Sequence, residues 1–512
     1  QRAGEGQPLG GYALMPVANR VRKGFYLDSV ALMRMSQTVS SLPGVTTAAL
    51  MIGSVSNRGI MQEAGLLAPG CDAGANDLII AVQAESQAQL DAAMKRAEEL
   101  LDQPQGAAAA GGARKPRTIG AALTDLGGGN LALISVPGEF AAAEARRALG
   151  LGLHVLMFSD NVSYDEEKAL KDEAQKRGLL VMGPDCGTAL IGGVPIAFAN
   201  EVAVGDIGIV AASGTGLQEV STLIARGGGG VSHGIGTGGR DLSEKIGALT
   251  TLAAIEALDA DPATRLIVLI SKPPAATVAE TVLARVGRSK KPFVICFLGA
   301  KNLKLPANAR LAPTLASAAS EALGKPVAGA LDIPSVAAHA RGALDRQRHW
   351  IRGVYTGGTL CGEAQIILRD AGEPYWSNAA IPGALPQSSA MAHRLVDYGA
   401  DEYTRGRPHP MIDPALRDQA LAAALDEQDV AAVLFDCVIG HGAHADPAGA
   451  VARVIKAAAS RVRPALVASV TGTDSDPQNR AAQVRILQEA GVLVAASNAE
   501  AAALALTICH PR

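Results

Sequence analysis

Aromatic residues are scarce in this sequence, at 3 % of the 512 residues, although hydrophobic residues make up 48 %. Ala, Val, Ile and Leu must therefore fill the cores, and this mixture is typical of parallel sheets covered by Ala-rich helices. The 57 Gly and 27 Pro residues allow many tight turns. A chain of this length predicts several domains rather than one.

Paired cysteines, clustered basic residues and long apolar runs are also missing. The six cysteines, from Cys71 to Cys509, form no CxxC motif, which argues against a disulfide framework or a zinc site and predicts reduced thiols in a cytoplasmic protein. The net charge of −3 is spread along the chain, so neither nucleic acid nor an anionic membrane is an expected partner. Without a run of 18 apolar residues, we expect neither export nor a membrane span.

Residues 1–102 predict a small α+β domain of the ferredoxin-like type. Strands are predicted at 22–27, 46–52 and 76–82, and helices at 29–41 and 87–101, where apolar residues recur at helical spacing. Residues 1–22 are expected to form an irregular arm. The Ala- and Gly-rich segment 103–117 is expected to be a flexible linker.

From residue 118 onwards, short apolar runs alternate with helix-length segments. This alternation predicts right-handed βαβ units in parallel sheets of the Rossmann-like or flavodoxin-like type. We expect a partial Rossmann domain at 118–203, a flavodoxin-type domain at 204–345 and a third α/β domain at 425–512. The Gly-, Pro- and His-rich stretch 346–424 is expected to be an irregular connecting segment, and such long loops are usually functional or interfacial.

A first candidate site is the run Ser213-Gly214-Thr215-Gly216, which follows a predicted strand and opens a predicted helix. Open parallel sheets bind ligands at this edge. Small residues let the backbone approach an anion, and the free N–H groups and the helix dipole favour phosphate or carboxylate. The alternative is a helix cap without a ligand.

A second candidate site follows the next strand, where Gly236-Thr237-Gly238-Gly239 precedes Arg240. This concentration of glycine indicates an anion cradle, with Arg240 as a bidentate clamp. His233, at the beginning of the segment, is either a catalytic base or a structural histidine.

A third candidate site contains Gly440, His441, Gly442 and His444, ahead of a helix start at Asp446-Pro447. The two histidines are candidates for proton transfer near neutral pH. Their spacing matches no common zinc pattern, so no metal is expected. Cys186, in Gly183-Pro184-Asp185-Cys186, could be a nucleophile, but a buried structural thiol is the preferred interpretation.

Taken in order, these motifs resemble the CoA ligases of the succinyl-CoA synthetase superfamily. The resemblance is carried by Val136-Pro137-Gly138-Glu139, Gly183-Pro184-Asp185-Cys186, Ser213-Gly214-Thr215, the Gly-rich turn before Asp241, and Asp259-Ala-Asp261-Pro262. Residues 425–505 resemble the C-terminal domain of the β-subunit, with 440–446 at the start of its phosphate-facing helix. In that family two helix N-termini, one from each half, face a phosphoryl group. The resemblance therefore implies an anion pocket shared by Ser213–Gly216 and Gly440–His444.

The departures from the superfamily are as informative as the matches. The small N-terminal domain stands where the first CoA-binding half is expected, the segment 305–324 lacks the histidine that would be phosphorylated, and no segment of the sequence resembles an ATP-grasp domain. These differences argue against ordinary ligase activity and against coenzyme A as a cofactor.

One branch of the superfamily, the FdrA family, has a similar layout. The segments from Gly230 to Asp241, Tyr355-Thr-Gly-Gly-Thr359-Leu-Cys361 and His409-Pro-Met-Ile-Asp413 resemble it. The resemblance implies a subunit that acts with two partner proteins as an oxamate carbamoyltransferase in allantoin catabolism. The fused halves and the N-terminal domain also lead us to expect a homo-oligomer. Phosphate would be a co-substrate, and oxalurate would be cleaved to oxamate and carbamoyl phosphate. The alternatives are an acyl-CoA synthetase and a non-catalytic scaffold.

Overall fold

The computed structural model describes residues 15–102 except 26, 28 and 69, and residues 116–510 except 302, 328–330, 388, 390, 405–407 and 459–462. The described residues fall into two compact units, one holding 15–102 and the other nearly all residues from 116 onwards. The predicted linker at 103–117 lies outside the described residues apart from its last two positions.

The N-terminal unit is a three-stranded antiparallel sheet of order β1-β3-β2 with three helices. Its elements are β1 (Val17–Arg22), α1 (Ser29–Ser40), β2 (Val45–Ile52), α2 (Val55–Glu63), β3 (Leu78–Ala84) and α3 (Gln87–Asp102). Because β3 is central, Ile80 and Val82 face one apolar cluster while Ile79 and Ala81 face another. This order, with α2 as an insertion, follows the predicted β-α-β-β-α series.

The first strand lies at Val17–Arg22 and not at the predicted 22–27, so part of the expected irregular arm is a strand. The strand is hard to recognise in the sequence because it contains polar residues, whose side chains bond to residues distant in the sequence. Asn19 bonds to the backbone of Leu66 and Ala68, while Arg22 pairs with Asp102 at 2.7 Å.

The second unit begins with a small parallel sheet of order β4-β5-β6. Its elements are α4 (Ile119–Leu126), β4 (Leu131–Ile134), α5 (Gly138–Gly150), β5 (His154–Met157), α6 (Tyr164–Lys176) and β6 (Val181–Met182). Helix α6 starts at a capping box in which the Ser163 side chain and Glu166 satisfy each other's backbone N–H groups.

A seven-stranded sheet of order β13-β12-β11-β9-β10-β7-β8 follows. Its elements are β7 (Thr188–Ile191), β8 (Val194–Ala197), β9 (Ile207–Ala211), α7 (Gly214–Arg226), β10 (Val231–Gly236), α8 (Leu249–Ala260), β11 (Leu266–Ser271), α9 (Ala276–Val286), β12 (Phe293–Phe297), β13 (Ala309–Leu311), α10 (Leu315–Leu323) and α11 (Ile333–Gly342). The chain leaves β9 for β10 on one side and later places β11 on the other side. The strand order therefore reverses at β9, and α7 begins at this switch point.

The last sheet has six parallel strands in the order β15-β16-β14-β17-β18-β19. Its elements are β14 (Trp350–Tyr355), α12 (Gly358–Asp370), β15 (Tyr375–Ser377), β16 (His393–Asp397), α13 (Asp401–Thr404), α14 (Ala415–Asp426), β17 (Val430–Val438), α15 (Pro447–Ala457), β18 (Ala465–Thr471), α16 (Arg480–Glu489), β19 (Leu493–Ala495) and α17 (Asn498–Cys509). The order reverses at β14, which has β16 on one side and β17 on the other. Helix α12 begins at this second switch point.

The fold class expected from the sequence is confirmed, but the expectation of an irregular segment at 346–424 is wrong. That stretch holds helix α12 and the strands β14, β15 and β16, which are three of the six strands of the last sheet. One apolar core connects the two large sheets, and α7, α10, α12 and α17 contribute to it. None of the helices in the described ranges is long and apolar enough to cross a membrane.

Candidate functional site

The start of α7 is built from small residues, as the sequence predicts. The Ser213 hydroxyl caps the helix by accepting a hydrogen bond from the Gly216 N–H at 2.8 Å. A Cβ on Gly214 would lie 2.9 Å from the Thr188 hydroxyl, so this turn has no room for a side chain. The remaining first-turn N–H groups have no acceptor within the helix and can receive an anion.

The start of α12 is a second turn of the same kind, at Thr356-Gly357-Gly358-Thr359. The buried Asp436 carboxylate, near the end of β17, accepts from the N–H groups of Thr356 at 2.8 Å and Gly357 at 2.7 Å. A Cβ on Gly358 would lie 2.5 Å from Asp397 Oδ2. The Asp436 carboxylate thus fixes the backbone of the turn, and the Asp397 carboxylate lies beside it.

The two helix starts meet at one cleft of about 800 Å³. The Ser213 and Thr359 hydroxyl oxygens are 2.5 Å apart, which joins the two turns directly. The cleft is lined by Gly-rich backbone, by two aromatic rings, and by polar residues from both sheets: Asp185, Gln218, Lys272, Asn378, Asp397, Asp401, Glu402 and His409. The switch points of the two large sheets therefore share one ligand-sized space.

Lys272 supplies the positive charge of the cleft. It follows β11, and its ammonium nitrogen lies 3.7 Å from the position that a Cβ on Gly358 would take. Among the described residues, this ammonium makes neither a hydrogen bond nor an ion pair, although Lys272 is exposed in the cleft. A lysine left in this state beside two helix N-termini is suited to binding an anion.

Two carboxylates in the cleft have raised pKa values. Asp185 is exposed to solvent in the cleft wall, but the surrounding protein, followed by the charges of Asp160 and Asp401, raises its pKa to about 7. Burial raises the pKa of Asp397 to about 6, against the opposing effect of Lys272. Burial also lowers the pKa of His409 to about 4, so this imidazole is neutral at pH 7. The cleft thus holds groups that exchange protons close to neutrality.

A buried polar bridge joins α7 and α12 beneath the cleft. Asn498, at the start of α17, donates its backbone N–H to Glu219 at 3.1 Å and its side-chain amide to Glu363 at 2.7 Å. All three residues are at most 1 % exposed. Burial raises the pKa of Glu363 to about 7. The bridge holds the two helices at a fixed separation.

The predicted residues of the first two sites fall partly in the cleft. Ser213, Gly214, Thr215, Gly236, Gly238 and Gly239 line it. Gly216 and Thr237 lie behind this lining, where the Gly216 N–H bonds to Ser213 and the Thr237 carbonyl accepts from Lys171 at 3.1 Å. Whether the lining residues bind phosphate stays a prediction.

The structure corrects the expected positions of Arg240 and His233. The Arg240 guanidinium forms an ion pair with Glu167 at 2.9 Å and donates to the Val162 carbonyl at 2.8 Å. It also lies over the Tyr164 ring, so it secures α6 instead of lining the cleft. His233 accepts from the Gly192 N–H through Nδ1 and lies 3.8 Å from Asp261 through Nε2. This is a structural environment on β10, away from the cleft lining.

The Gly440–His444 turn is also corrected, because the helix that faces α7 at the cleft is α12 and not α15. His441 Nε2 lies 2.7 Å from Glu201 Oε1, and His444 Nδ1 accepts from the Asp446 N–H at 3.0 Å. Gly440 donates to Gln478 at 3.0 Å, and Gly442 packs against Phe198. The turn therefore lies behind the cleft wall. Cys186 is buried with its pKa raised to about 12, as a structural thiol.

Sequence reasoning missed the α12 start and Lys272, although one signal was available. Both cleft helices carry the pattern Gly-Thr-x-x-x-Glu, as Gly214-Thr215 with Glu219 and as Gly358-Thr359 with Glu363. The repeat places a glycine turn at the cleft and a glutamate one turn deeper, where Asn498 bridges the pair.

The chain is similar to known proteins both over its whole length and within each of its two units. Protein YahF of Escherichia coli strain K12, described as uncharacterized, is 40 % identical over 512 aligned positions that span 96 % of this chain and 98 % of YahF. The chain belongs to the YahF family. Within this YahF-family chain, residues 354–508 match the CoA-ligase family and residues 15–117 match the AllF, heavy metal-associated domain.

More distant relatives of this YahF-family protein are ligase subunits. The α-subunit of the ADP-forming succinate–CoA ligase of Aquifex aeolicus is 30 % identical over 28 % of this chain and 48 % of its own length. Subunit SauD of the ADP-forming sulfoacetate–CoA ligase of Bilophila wadsworthia is 24 % identical over 34 % of this chain and 60 % of its own length. The resemblance to succinyl-CoA-synthetase-like proteins is thus confirmed, while membership of the FdrA branch stays a prediction.

Solved structures overlap only loosely with the chain. The acetyl-coenzyme A synthetase 1 of Candidatus Korarchaeum cryptofilum, in complex with phosphate and ADP, covers 74 % of this chain and 82 % of its own at 16 % identity and a TM-score of 0.28. The ATP citrate lyase of Methanothrix soehngenii covers 40 % of this chain and 37 % of its own at 17 % identity and a TM-score of 0.30. These TM-scores carry no functional argument.

The residues of the AllF-type domain do not fit a heavy metal. Residues 15–117 contain a single cysteine, Cys71, no histidine and six methionines, three of which are buried in the apolar clusters of the domain. Soft metals need several thiolate, thioether or imidazole ligands in a fixed arrangement. A different cluster, Glu373, His393 and His510, has three ligand atoms within 4.8 Å of one another. However, His393 Nδ1 accepts from the Ile351 N–H at 3.0 Å, which places the ring proton on Nε2, the nitrogen that a metal would need.

Proposed function

We propose that the chain is a cytoplasmic, homo-oligomeric subunit of a carbamoyltransferase of the FdrA kind. Together with two partner proteins it would cleave oxalurate with phosphate to oxamate and carbamoyl phosphate. What supports this proposal is the meeting of two helix N-termini and the unpaired Lys272 ammonium at one cleft. Phosphate would occupy this position, held by backbone N–H groups and by Lys272.

The reaction needs one nucleophile and one proton. An oxygen of phosphate attacks the terminal carbamoyl carbon of oxalurate, and the bond from that carbon to the internal nitrogen breaks. The nitrogen takes up a proton and leaves as the amide of oxamate, while the carbamoyl group remains on phosphate. Asp185, whose pKa is raised to about 7 by the surrounding protein, would supply this proton. The N–H groups of both turns stabilise the charge that develops in the transition state.

A second candidate is acyl-CoA ligation, because two relatives are named as CoA ligase subunits and residues 354–508 match the CoA-ligase family. The segment 305–324 lacks a histidine to carry a phosphoryl group, which argues against the ordinary ligase cycle. Thioester formation by the purified chain from ATP, coenzyme A and succinate would favour this candidate, and we expect none.

The proposal is tested by reconstitution with the two partner proteins. We expect phosphate-dependent release of oxamate and carbamoyl phosphate from oxalurate. Lys272→Ala should lower kcat/KM for phosphate by about 10- to 100-fold, since a charged hydrogen-bond donor is lost. The matched control is Lys168→Ala, since Lys168 pairs with Asp172 on the exposed side of α6.

Two outcomes would refute the proposal in different ways. No product from the complete wild-type assembly would reject the reaction itself. If Lys272→Ala were as active as the wild type, the reaction would be supported but the cleft would not be its site. This chain would then be better described by the scaffold alternative.

A further inference from the structure

One buried side chain in the cleft has an unused hydrogen-bond acceptor. Gln218 lies on α7, is 2 % exposed and lines the cleft. Its side-chain nitrogen donates to Asn200 Oδ1 at 3.1 Å, but its Oε1 has no partner among the described residues. Buried acceptors normally have a donor, and a lining position allows a ligand to supply it.

The orientation of this amide follows from its neighbours. The Asn200 side-chain nitrogen donates to the Ile439 carbonyl at 2.7 Å and to Asp476 Oδ2 at 2.8 Å. A carbonyl and a carboxylate can only accept, so Asn200 must direct its nitrogen towards them and its oxygen towards Gln218. Gln218 must then offer its nitrogen to Asn200, which leaves Oε1 without a donor on a residue that lines the cleft.

The acceptor lies close to the expected anion position. Gln218 is four residues after Gly214, the first residue of α7, which corresponds to about 6 Å along the helix axis. Helical side chains lean towards the N-terminus, so the amide oxygen lies nearer to the helix start than its Cα. A ligand that spans this distance has an anionic group at one end and an N–H donor a few ångströms away.

Two aromatic rings also line the cleft. The rings of Phe158 and Phe198 line it and stack with centroids 5.6 Å apart. Such rings pack against planar groups. A carbamoyl group is planar, carries an N–H₂ donor and, in carbamoyl phosphate, is attached directly to phosphate.

We propose that Gln218 Oε1 accepts a hydrogen bond from the carbamoyl N–H₂ group of the substrate and thereby selects carbamoyl compounds over acyl compounds of the same shape. This inference rests on the proposed function and names the residue that decides its substrate class. Acetyl phosphate is the matched analogue, because a methyl group stands where carbamoyl phosphate has its amino group. With that methyl group, the buried oxygen would remain without a donor.

Calorimetric titration of the full-length chain with inorganic phosphate, carbamoyl phosphate and acetyl phosphate tests the inference. The wild type should bind carbamoyl phosphate on the order of 10- to 100-fold more tightly than acetyl phosphate. Gln218→Met keeps the length of the side chain without the acceptor. It should reduce this ratio to within about threefold of one while leaving the Kd of inorganic phosphate within about threefold of wild type.

The comparison within the wild type needs no variant, so it holds even if Gln218→Met folds poorly. Equal binding of the two acyl phosphates by the wild type would overturn the inference and leave the proposed function standing. If Gln218→Met still bound carbamoyl phosphate more tightly than acetyl phosphate, another group would be responsible for the selectivity. This result would also overturn the inference and leave the proposed function unaffected. Absence of binding by all three ligands would overturn the inference and the proposed function together.

Discussion

At the scale of single residues, charge decides how the cleft would treat an anion. Lys272 attracts it, and the carboxylates of Asp185 and Asp397 repel it once they are ionised. Because protein packing raises the pKa of Asp185 to about 7, this repulsion changes with pH near neutrality. Arg240 contributes little to binding, since its guanidinium is committed to Glu167 and Val162.

We predict that sulfate binding to the cleft weakens by about five- to tenfold between pH 6 and pH 8.5. Sulfate is the suitable probe because its charge is constant over this range. Asp185 is protonated below its pKa of about 7 and negatively charged above it. The neighbouring charges of Asp160 and Asp401 oppose the ionised form, whereas those of Lys272 and Arg240 favour it.

Asp185→Asn should remove the pH dependence above pH 7, while the part due to Asp397, with a pKa of about 6, should remain at lower pH. The sign for stability follows the same reasoning. The folded state keeps a proton that an unfolded carboxyl has lost, so Asp185 makes the protein less stable as pH rises from about 4 to about 7. An unchanged pH profile in Asp185→Asn would contradict this assignment.

Arg240 offers a second test at this scale. Arg240→Ala should leave the Kd of sulfate within about threefold of wild type, while lowering the melting temperature because the buried Glu167 loses a charged partner. Lys272→Ala, in the same titration, should weaken sulfate binding by about tenfold or more. If the two variants lose sulfate equally, Arg240 belongs to the anion site after all.

At the scale of elements, the cleft depends on two helices that start at the switch points of two sheets. Helix α7 could be predicted because its strand, Ile207–Ala211, is apolar and fully buried and because Ser213-Gly214-Thr215 has the composition of a helix start. Its partner α12 could not be predicted in the same way. Strand β14 contains Arg352, which is 6 % exposed and bonds to Glu427, 75 residues away.

Strand β16 is hard to predict for a similar reason, because its polar side chains have partners far away in the sequence. His393 is completely buried in that strand and accepts from the Ile351 N–H on β14. In a sequence, Arg and His residues favour the prediction of a loop over that of a buried strand. Only the three-dimensional structure shows that neighbouring residues provide partners for these side chains inside the sheet. The Gly440–His444 turn, expected from the sequence to face α7, does not line the cleft, and α12 lies there instead.

We predict that Asn498→Ala destabilises the second unit by about 2–3 kcal/mol. The substitution removes the side-chain donor to Glu363 and leaves this buried carboxyl with the Leu315 N–H as its remaining partner. Both tryptophans, Trp350 and Trp376, lie in the six-stranded sheet, so urea unfolding followed by tryptophan fluorescence reports on this unit.

Asn130→Ala is the matched control, because Asn130 is exposed. If Asn498→Ala and Asn130→Ala unfold at the same urea concentration, the bridge between α7 and α12 contributes nothing to stability.

At the scale of the whole molecule, one unit contains the entire cleft. Every lining residue lies between Phe158 and Met411 within the second unit, and both large sheets contribute to it. Such an arrangement resembles two halves of a ligase joined in one chain, which agrees with the match of residues 354–508 to the CoA-ligase family. The AllF-type unit has its own apolar core.

The central claim is that the starts of α7 and α12 together form one anion site, and a crystal structure of the full-length chain with phosphate tests it most directly. We predict phosphate density in the cleft, within hydrogen-bonding distance of Lys272 Nζ and of backbone N–H groups at both Thr215 and Thr359. Density at the Gly440–His444 turn instead, or an empty cleft at saturating phosphate, would contradict the account.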